Sequence, residues 1–237
     1  VLADLKARLE RARFPDEVPG SSWQYGSDLA YVKDLVTYWR DRFDWRAQER
    51  QLNAWPQFAV PIGDVDLHFI HAEGKGPRPM PLLLSHGWPG SVWEFHKILP
   101  LLTDPGRHGG DPADAFTVVA PSLPGYGFST PVREAGWGNL FRVAQAMAEL
   151  MSRLGYEHFV VHGTDVGSGV AGMLPMVAPG RVAGIHLAGT TAAMPFGPPL
   201  ATEGLDDADR ARIERFNEYQ RDGLGYLHLM ATRPQTL

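Results

Sequence analysis

The feature that most narrows the fold is a change of pattern near Trp55-Pro56, after which short apolar runs alternate with helical stretches as far as residue 190. Residues 58–61 and 65–71 read as two strands joined at Gly63-Asp64, a hairpin signal. Residues 81–85 form a continuous apolar run, as a strand covered on both faces should. Ser91 and Glu94 have the spacing of a capping box and predict a helix to about Leu102. Strands are expected over 116–120, 158–162 and 182–187. Helices are expected from about Asn139 to Leu154 and from Gly167 onward. A hairpin followed by β-α-β units predicts an open, mostly parallel sheet with helices on both faces.

The flanks differ. Leu2, Leu5, Leu9 and Ala12 recur at helical spacing, and so do Leu29, Val32, Val36, Trp39 and Phe43. Ser27 is the expected N-cap of the second stretch, with Asp28 in its first turn, and Asp44 the cap of a third helix over 45–52. Beyond Thr190 the strand pattern stops, and Pro- and Gly-rich sequence gives way to a helix near 206–221, as in a cap inserted over the strand ends. The expected organisation is an N-terminal helical region over 1–55, a core with six strands over 56–189 and the start of a cap over 190–237.

Composition removes whole classes of function. Hydrophobic residues make up 44% and charged residues 21% of the 237, an ordinary globular balance. The net charge is -5 and no Lys/Arg cluster tracks a phosphate backbone, so nucleic acid is not an expected partner. Without cysteine there is neither a disulfide framework nor a thiolate metal site. No apolar run reaches the roughly 18 residues of a membrane span. A soluble, cytoplasmic protein is expected, although the chain does not start with Met and a removed leader stays open, as does a homodimer.

Sites in open α/β sheets lie at the carboxyl ends of strands. There the segment Gly163-Thr164-Asp165-Val166-Gly167 has the form of a nucleophile elbow, with an aspartate in place of serine. Between His158 and Thr202, Asp165 and Arg181 are the only side chains expected to be ionised. A lone carboxylate in so apolar a stretch needs stabilisation, which backbone N–H groups and the helix dipole at the helix start can supply. The bland alternative is that Asp165 only caps the helix. The overlapping Gly167-Ser168-Gly169-Val170-Ala171-Gly172 matches a dinucleotide fingerprint. It starts too far from the strand, however, and no acid lies between Asp165 and Glu203 to bind a ribose. Small residues there fit close helix–sheet packing, and no cofactor is expected.

The loop His86-Gly87-Trp88-Pro89-Gly90 follows a buried strand, where an elbow enzyme finds one of its oxyanion donors. Pro89 has no N–H, so the backbone of Trp88 is the expected donor and Val166 the second. His86, Pro89, Tyr126 and Phe128 are candidate pocket lining, although His86 can equally stiffen its loop and Tyr126 pack within its own. His68 and His71 face opposite sides of one strand and are no metal pair. His162 and His186 read as structural.

The segments 86–90, Pro121-Ser122-Leu123-Pro124-Gly125-Tyr126-Gly127-Phe128-Ser129 and 163–167 together resemble the microsomal-type epoxide hydrolases. Arg13-Phe14-Pro15-Asp16, Tyr38-Trp39-Arg40, Phe43-Asp44-Trp45-Arg46 and Leu52-Asn53 resemble that family's N-terminal region. Gly225-Tyr226-Leu227-His228 matches the context of a cap tyrosine. The resemblance implies an α/β-hydrolase fold, here without its last strands, and conversion of an epoxide and water to a diol. Asp165 would be the nucleophile and Tyr226 the donor to the epoxide oxygen. One departure is Val166, where the family often has Trp, so the pocket wall beside the nucleophile is expected to differ.

An aspartate suits that chemistry. Attack at a saturated carbon by serine would leave an ether, whereas aspartate leaves an ester that activated water can cleave. A carboxylate is also ionised at neutral pH without help from a base. A haloalkane-type dehalogenase is the rival reading, but Val166 supplies no indole or amide beside the nucleophile. A catalytically inactive binding protein is the other alternative, because no histidine follows Asp165 on a suitable loop. A histidine, a Glu or Asp and a second tyrosine are therefore expected in a further C-terminal part.

Overall fold

The computed structural model describes residues 1–189 and 197–236, so the expected start of the cap at 190 lies outside the described residues. The chain forms two compact units, Val1–Trp55 and Pro56–Leu237. In the first, helices α1 (Leu2–Glu10), α2 (Leu29–Asp41) and α3 (Trp45–Leu52) bury none of their residues fully. Their apolar stripes, with Leu5, Leu9, Leu35 and Trp39 among them, border an open groove of about 980 Å³. Asp44 caps α3 as expected, accepting from the N–H of Ala47 at 3.0 Å. The cap of α2 is Asp28 rather than Ser27: its carboxylate accepts from Tyr31 N–H at 2.9 Å and from the Ser22 hydroxyl at 3.1 Å. Either residue type can cap, and the ionised one also favours the positive helix end.

The second unit is built on six strands: β1 (Gln57–Ile62), β2 (Val65–Ala72), β3 (Met80–Ser85), β4 (Phe116–Pro121), β5 (Phe159–Thr164) and β6 (Val182–Ala188). Their order across the sheet is β1-β2-β4-β3-β5-β6. β1 runs antiparallel to β2 and β2 antiparallel to β4, while β4, β3, β5 and β6 are parallel. The hairpin turns at Gly63, whose φ of +58° suits a residue without Cβ. Helices α5 (Leu140–Arg153) and α6 (Val166–Val177) cover one face. Leu83, Val119, Phe159 and Val161 of the strands are buried there with Met147, Leu150, Val170 and Leu174 of the helices. Each such side chain contributes about 1.5–3 kcal/mol of burial. On the other face α4 (Leu99–Thr103) leaves an apolar hollow of about 540 Å³ beside Leu84, Val160 and Ile185.

The expected helix from Ser91 to Leu102 is broken. Ser91 does accept from Trp93 N–H, but only a short 3-10 turn, Val92–Phe95, follows before α4 begins. Pro100 at the start of α4 supplies no N–H and disfavours helical backbone before it, so one continuous helix cannot run through this stretch.

Asp64, beside the hairpin turn, ties the sheet to the loop ahead of α5. It accepts from the backbone N–H of Arg133 (2.6 Å) and Glu134 (2.8 Å), the Trp137 indole (2.8 Å) and the Arg142 guanidinium (3.1 Å). After the parallel strands come α7 (Asp207–Glu218), a π-helical turn over Tyr219–Gly223 and α8 (Gly225–Thr232). Among the described residues no helix is long and apolar enough to cross a membrane.

Candidate active site

The elbow joins β5 directly to α6. Asp165 has φ +48° and ψ −120°, a conformation that L residues rarely adopt. Both flanking glycines are required by contact. A Cβ on Gly163 would lie 2.1 Å from the carbonyl oxygen of Gly167, and one on Gly167 2.1 Å from that of Ser85. Ser168 closes the turn by donating its hydroxyl to Gly163 O at 2.8 Å.

Asp165 stands at the N-cap position, yet its side chain makes no capping hydrogen bond. The carboxylate is half-buried under Gly87, and its Oδ1 accepts from the backbone N–H of Trp88 at 2.9 Å. The stabilising N–H thus comes from the loop after β3 rather than from the carboxylate's own helix. Gly87 makes this approach possible, since a Cβ there would sit 2.5 Å from that of Asp165. Val166 opens α6, and the N–H groups of a first helical turn have no acceptor within the helix.

His86 is fully buried and holds this loop from beneath. Its Nε2 accepts from Leu123 N–H at 3.0 Å, which puts the ring proton on Nδ1, 3.0 Å from Gly87 O. Burial pushes its pKa below the usual histidine value and favours that neutral tautomer. His86 is therefore a strut between two loops rather than pocket lining. Tyr126 lies edge-on to His86 at 5.4 Å, and burial followed by the charge of Asp165 raises its pKa. Phe128 goes elsewhere: its ring packs on His68 at 4.8 Å and is 56% exposed. Pro89 is on the exposed rim of the loop.

Tyr226, on α8, stacks on the Trp88 ring with centroids 5.4 Å apart and planes 5° apart. Its hydroxyl lies 3.3 Å from that of Tyr219. Its pKa is pushed up to about 12, first by that hydrogen bond, then by burial, with the charge of Asp165 adding to both. The phenol is consequently a proton donor throughout the neutral range. Nucleophile candidate and phenol thus share one neighbour, Trp88, whose N–H meets the one and whose ring meets the other.

Known proteins share this arrangement of chain. The family described as "Epoxide hydrolase N terminus" matches residues 1–95, and that described as "alpha/beta hydrolase fold" matches 80–225. A relative from Stigmatella aurantiaca is 44% identical over 100% of this chain and 53% of its own. Epoxide hydrolase 1 of Oryctolagus cuniculus is 37% identical over 99% of this chain and 55% of its own. The chain belongs to the epoxide hydrolase family of α/β-hydrolases. The structure of Aspergillus niger epoxide hydrolase superposes with a TM-score of 0.83 at 32% identity, covering 99% of this chain and 61% of that one. The chain spans about half the length of the curated relatives it matches.

Two residues beside the candidate site were not picked out as such from sequence. Glu94, read as a capping acid, instead accepts from the Thr164 hydroxyl at 3.3 Å, next to the nucleophile candidate. Its Oε1 also fills the space where a Cβ of Gly90 would stand. Tyr219 gave no signal beyond being aromatic. His162 and His186 meet across β5 and β6, Nδ1 to Nδ1 at 2.7 Å. His68 bonds to Ser122 and Gln57, and His71 to Tyr156. Among the described residues no group of three or more His, Asp or Glu is placed to hold a metal.

Proposed function

We propose that the protein hydrolyses an epoxide to a vicinal diol through an ester formed on Asp165. The observation that carries this reading is the half-buried Asp165 carboxylate, on a strained backbone and turned from its own helix to the Trp88 N–H. Oδ1 is engaged by that donor, which leaves Oδ2 as the attacking atom. Oδ2 forms a bond to one epoxide carbon while the carbon–oxygen bond of the ring breaks, and Tyr226 donates a hydrogen bond to the departing oxygen. The ester carbonyl is then Oδ1, already in place at Trp88. When water attacks Cγ, negative charge gathers on Oδ1, where the N–H groups of Trp88 and Val166 can stabilise it. The proposal assigns none of residues 1–237 to activating that water.

The test is a single turnover of the full-length protein in water labelled with heavy oxygen. The first diol should carry unlabelled oxygen from Oδ2, and the label should appear in the Asp165 carboxylate. Full label in that first diol would mean direct attack by water and would end the reading. Chloride release from a chloroalkane at a matching rate would favour dehalogenation instead.

A further inference from the structure

Tyr226 is held at both ends. Its ring face lies on Trp88, and its hydroxyl meets that of Tyr219. The second contact needs an explanation, because residues seven apart on a continuous helix are separated by roughly 10 Å along its axis. The chain removes that separation by interrupting the helix. After Glu218 the backbone widens into the π-helical turn over Tyr219–Gly223, breaks at Leu224 and restarts at Gly225. Leu224 is buried and anchors the break. Gly223 makes room for the tyrosine: a Cβ there would fall 2.4 Å from Cδ2 of the Tyr219 ring. π-turns inside helices are uncommon and concentrate at functional sites.

We propose that Tyr219 is a positioning residue for Tyr226. In the free protein the Tyr226 hydroxyl donates to Tyr219, which holds its proton in place. When an epoxide binds the bond reverses, Tyr219 donating to the Tyr226 oxygen so that the Tyr226 proton points to the substrate oxygen. This rests on the reading of Tyr226 as the donor in epoxide opening. A phenol oxygen can accept one hydrogen bond while donating another, and accepting strengthens its donation. Two consequences follow. Tyr219 fixes the rotation of the Tyr226 hydroxyl, and it supports the charge that builds on the Tyr226 oxygen as the ring opens. Tyr219 touches no reacting atom in this scheme.

Tyr219→Phe removes one oxygen and keeps the ring over Gly223, so the full-length variant should fold. Alkylation of Asp165 in single turnovers should slow by about 3- to 10-fold, the weight of one neutral hydrogen bond. With the bond to Tyr219 gone, the phenol of Tyr226 should titrate nearer the ordinary value of about 10. The high-pH limb of the alkylation rate should move down accordingly, and so should the ultraviolet phenolate signal that Tyr226→Phe abolishes. In a Tyr226→Phe background, Tyr219→Phe should cost nothing more. An unmoved limb, or an equal loss in both backgrounds, would overturn the positioning role while leaving Tyr226 as the donor. If Tyr226→Phe alone leaves alkylation unchanged, the reading of Tyr226 fails first and this inference with it.

Discussion

The contact beneath the elbow gives the most direct quantitative test. Replacing Gly167 with Ala would place a Cβ 2.1 Å from Ser85 O, 2.5 Å from Ser85 C and 2.6 Å from His86 O, all of them backbone atoms. Real Cβ atoms do not come closer than 3.0 Å, so the start of α6 and the end of β3 must part by about 1 Å. The loop carrying Trp88 follows β3, whereas Asp165 and Val166 move with α6. The 2.9 Å hydrogen bond from Trp88 N–H to Asp165 would therefore lengthen beyond useful range. A displacement of this size at a reacting group costs about 10²-fold. The assay is the rate of ester formation on Asp165, followed by mass spectrometry in single turnovers of the full-length protein. Circular dichroism and Tm establish that the variant is folded. Gly172→Ala on the same helix is the control. Nothing lies within 4 Å of its Cβ position, and alanine there should leave the rate alone while adding up to about 1 kcal/mol of stability. A folded Gly167→Ala enzyme alkylated within about threefold of the parent rate would refute the argument.

Other tests bear on separate parts of the molecule. Tyr226→Phe should slow ester formation by about 10²-fold and largely spare ester hydrolysis, as read by separate pre-steady-state phases. For Asp64, burial works to raise the pKa, but hydrogen bonds from Arg133 N–H, Trp137 and Glu134 N–H outweigh it and hold the carboxyl below its ordinary value. A depressed carboxylate stabilises the fold above its unfolded value of about 3.9, and that contribution fades as pH falls through the lower folded value. Asp64→Asn should accordingly lower Tm at neutral pH and converge with the parent in acid. Burial also holds His68 and His86 below the ordinary histidine value of 6.5. By the same sign, Tm should decline as pH drops below about 6.5, and more shallowly once His86 is replaced by a residue that does not titrate.

Much of this was legible wherever local chemistry leaves one solution. Gly63-Asp64 between alternating runs gave the hairpin, and Asp44 gave the start of α3. The absence of an N–H on Pro89 singled out Trp88 as the donor of its loop, and the structure turns that N–H onto Asp165. What stayed hidden depends on contacts between segments distant in sequence. Ser91 and Glu94 obey a local pattern, yet Glu94 has a better partner in Thr164, 70 residues away. Phe128 sits beside Tyr126 in the sequence, but the turn directs its ring to His68. Tyr219 could not be paired with Tyr226 by counting, because a π-turn changes the helical period on which counting relies.

The backbone at Asp165 has a consequence for how this position can change over time. A φ of +48° with ψ of −120° belongs by preference to glycine, and a side chain held there costs about 1–3 kcal/mol. Glycine would relieve that strain at the loss of one hydrogen bond to Trp88, worth about 1.5–3 kcal/mol when the acceptor is charged. The two quantities nearly cancel, so selection for thermal persistence alone has little hold on this residue in either direction. A lineage freed from the need for chemistry could exchange Asp165 for glycine at little cost, while the glycines on either side stayed fixed by the packing of α6 on β3.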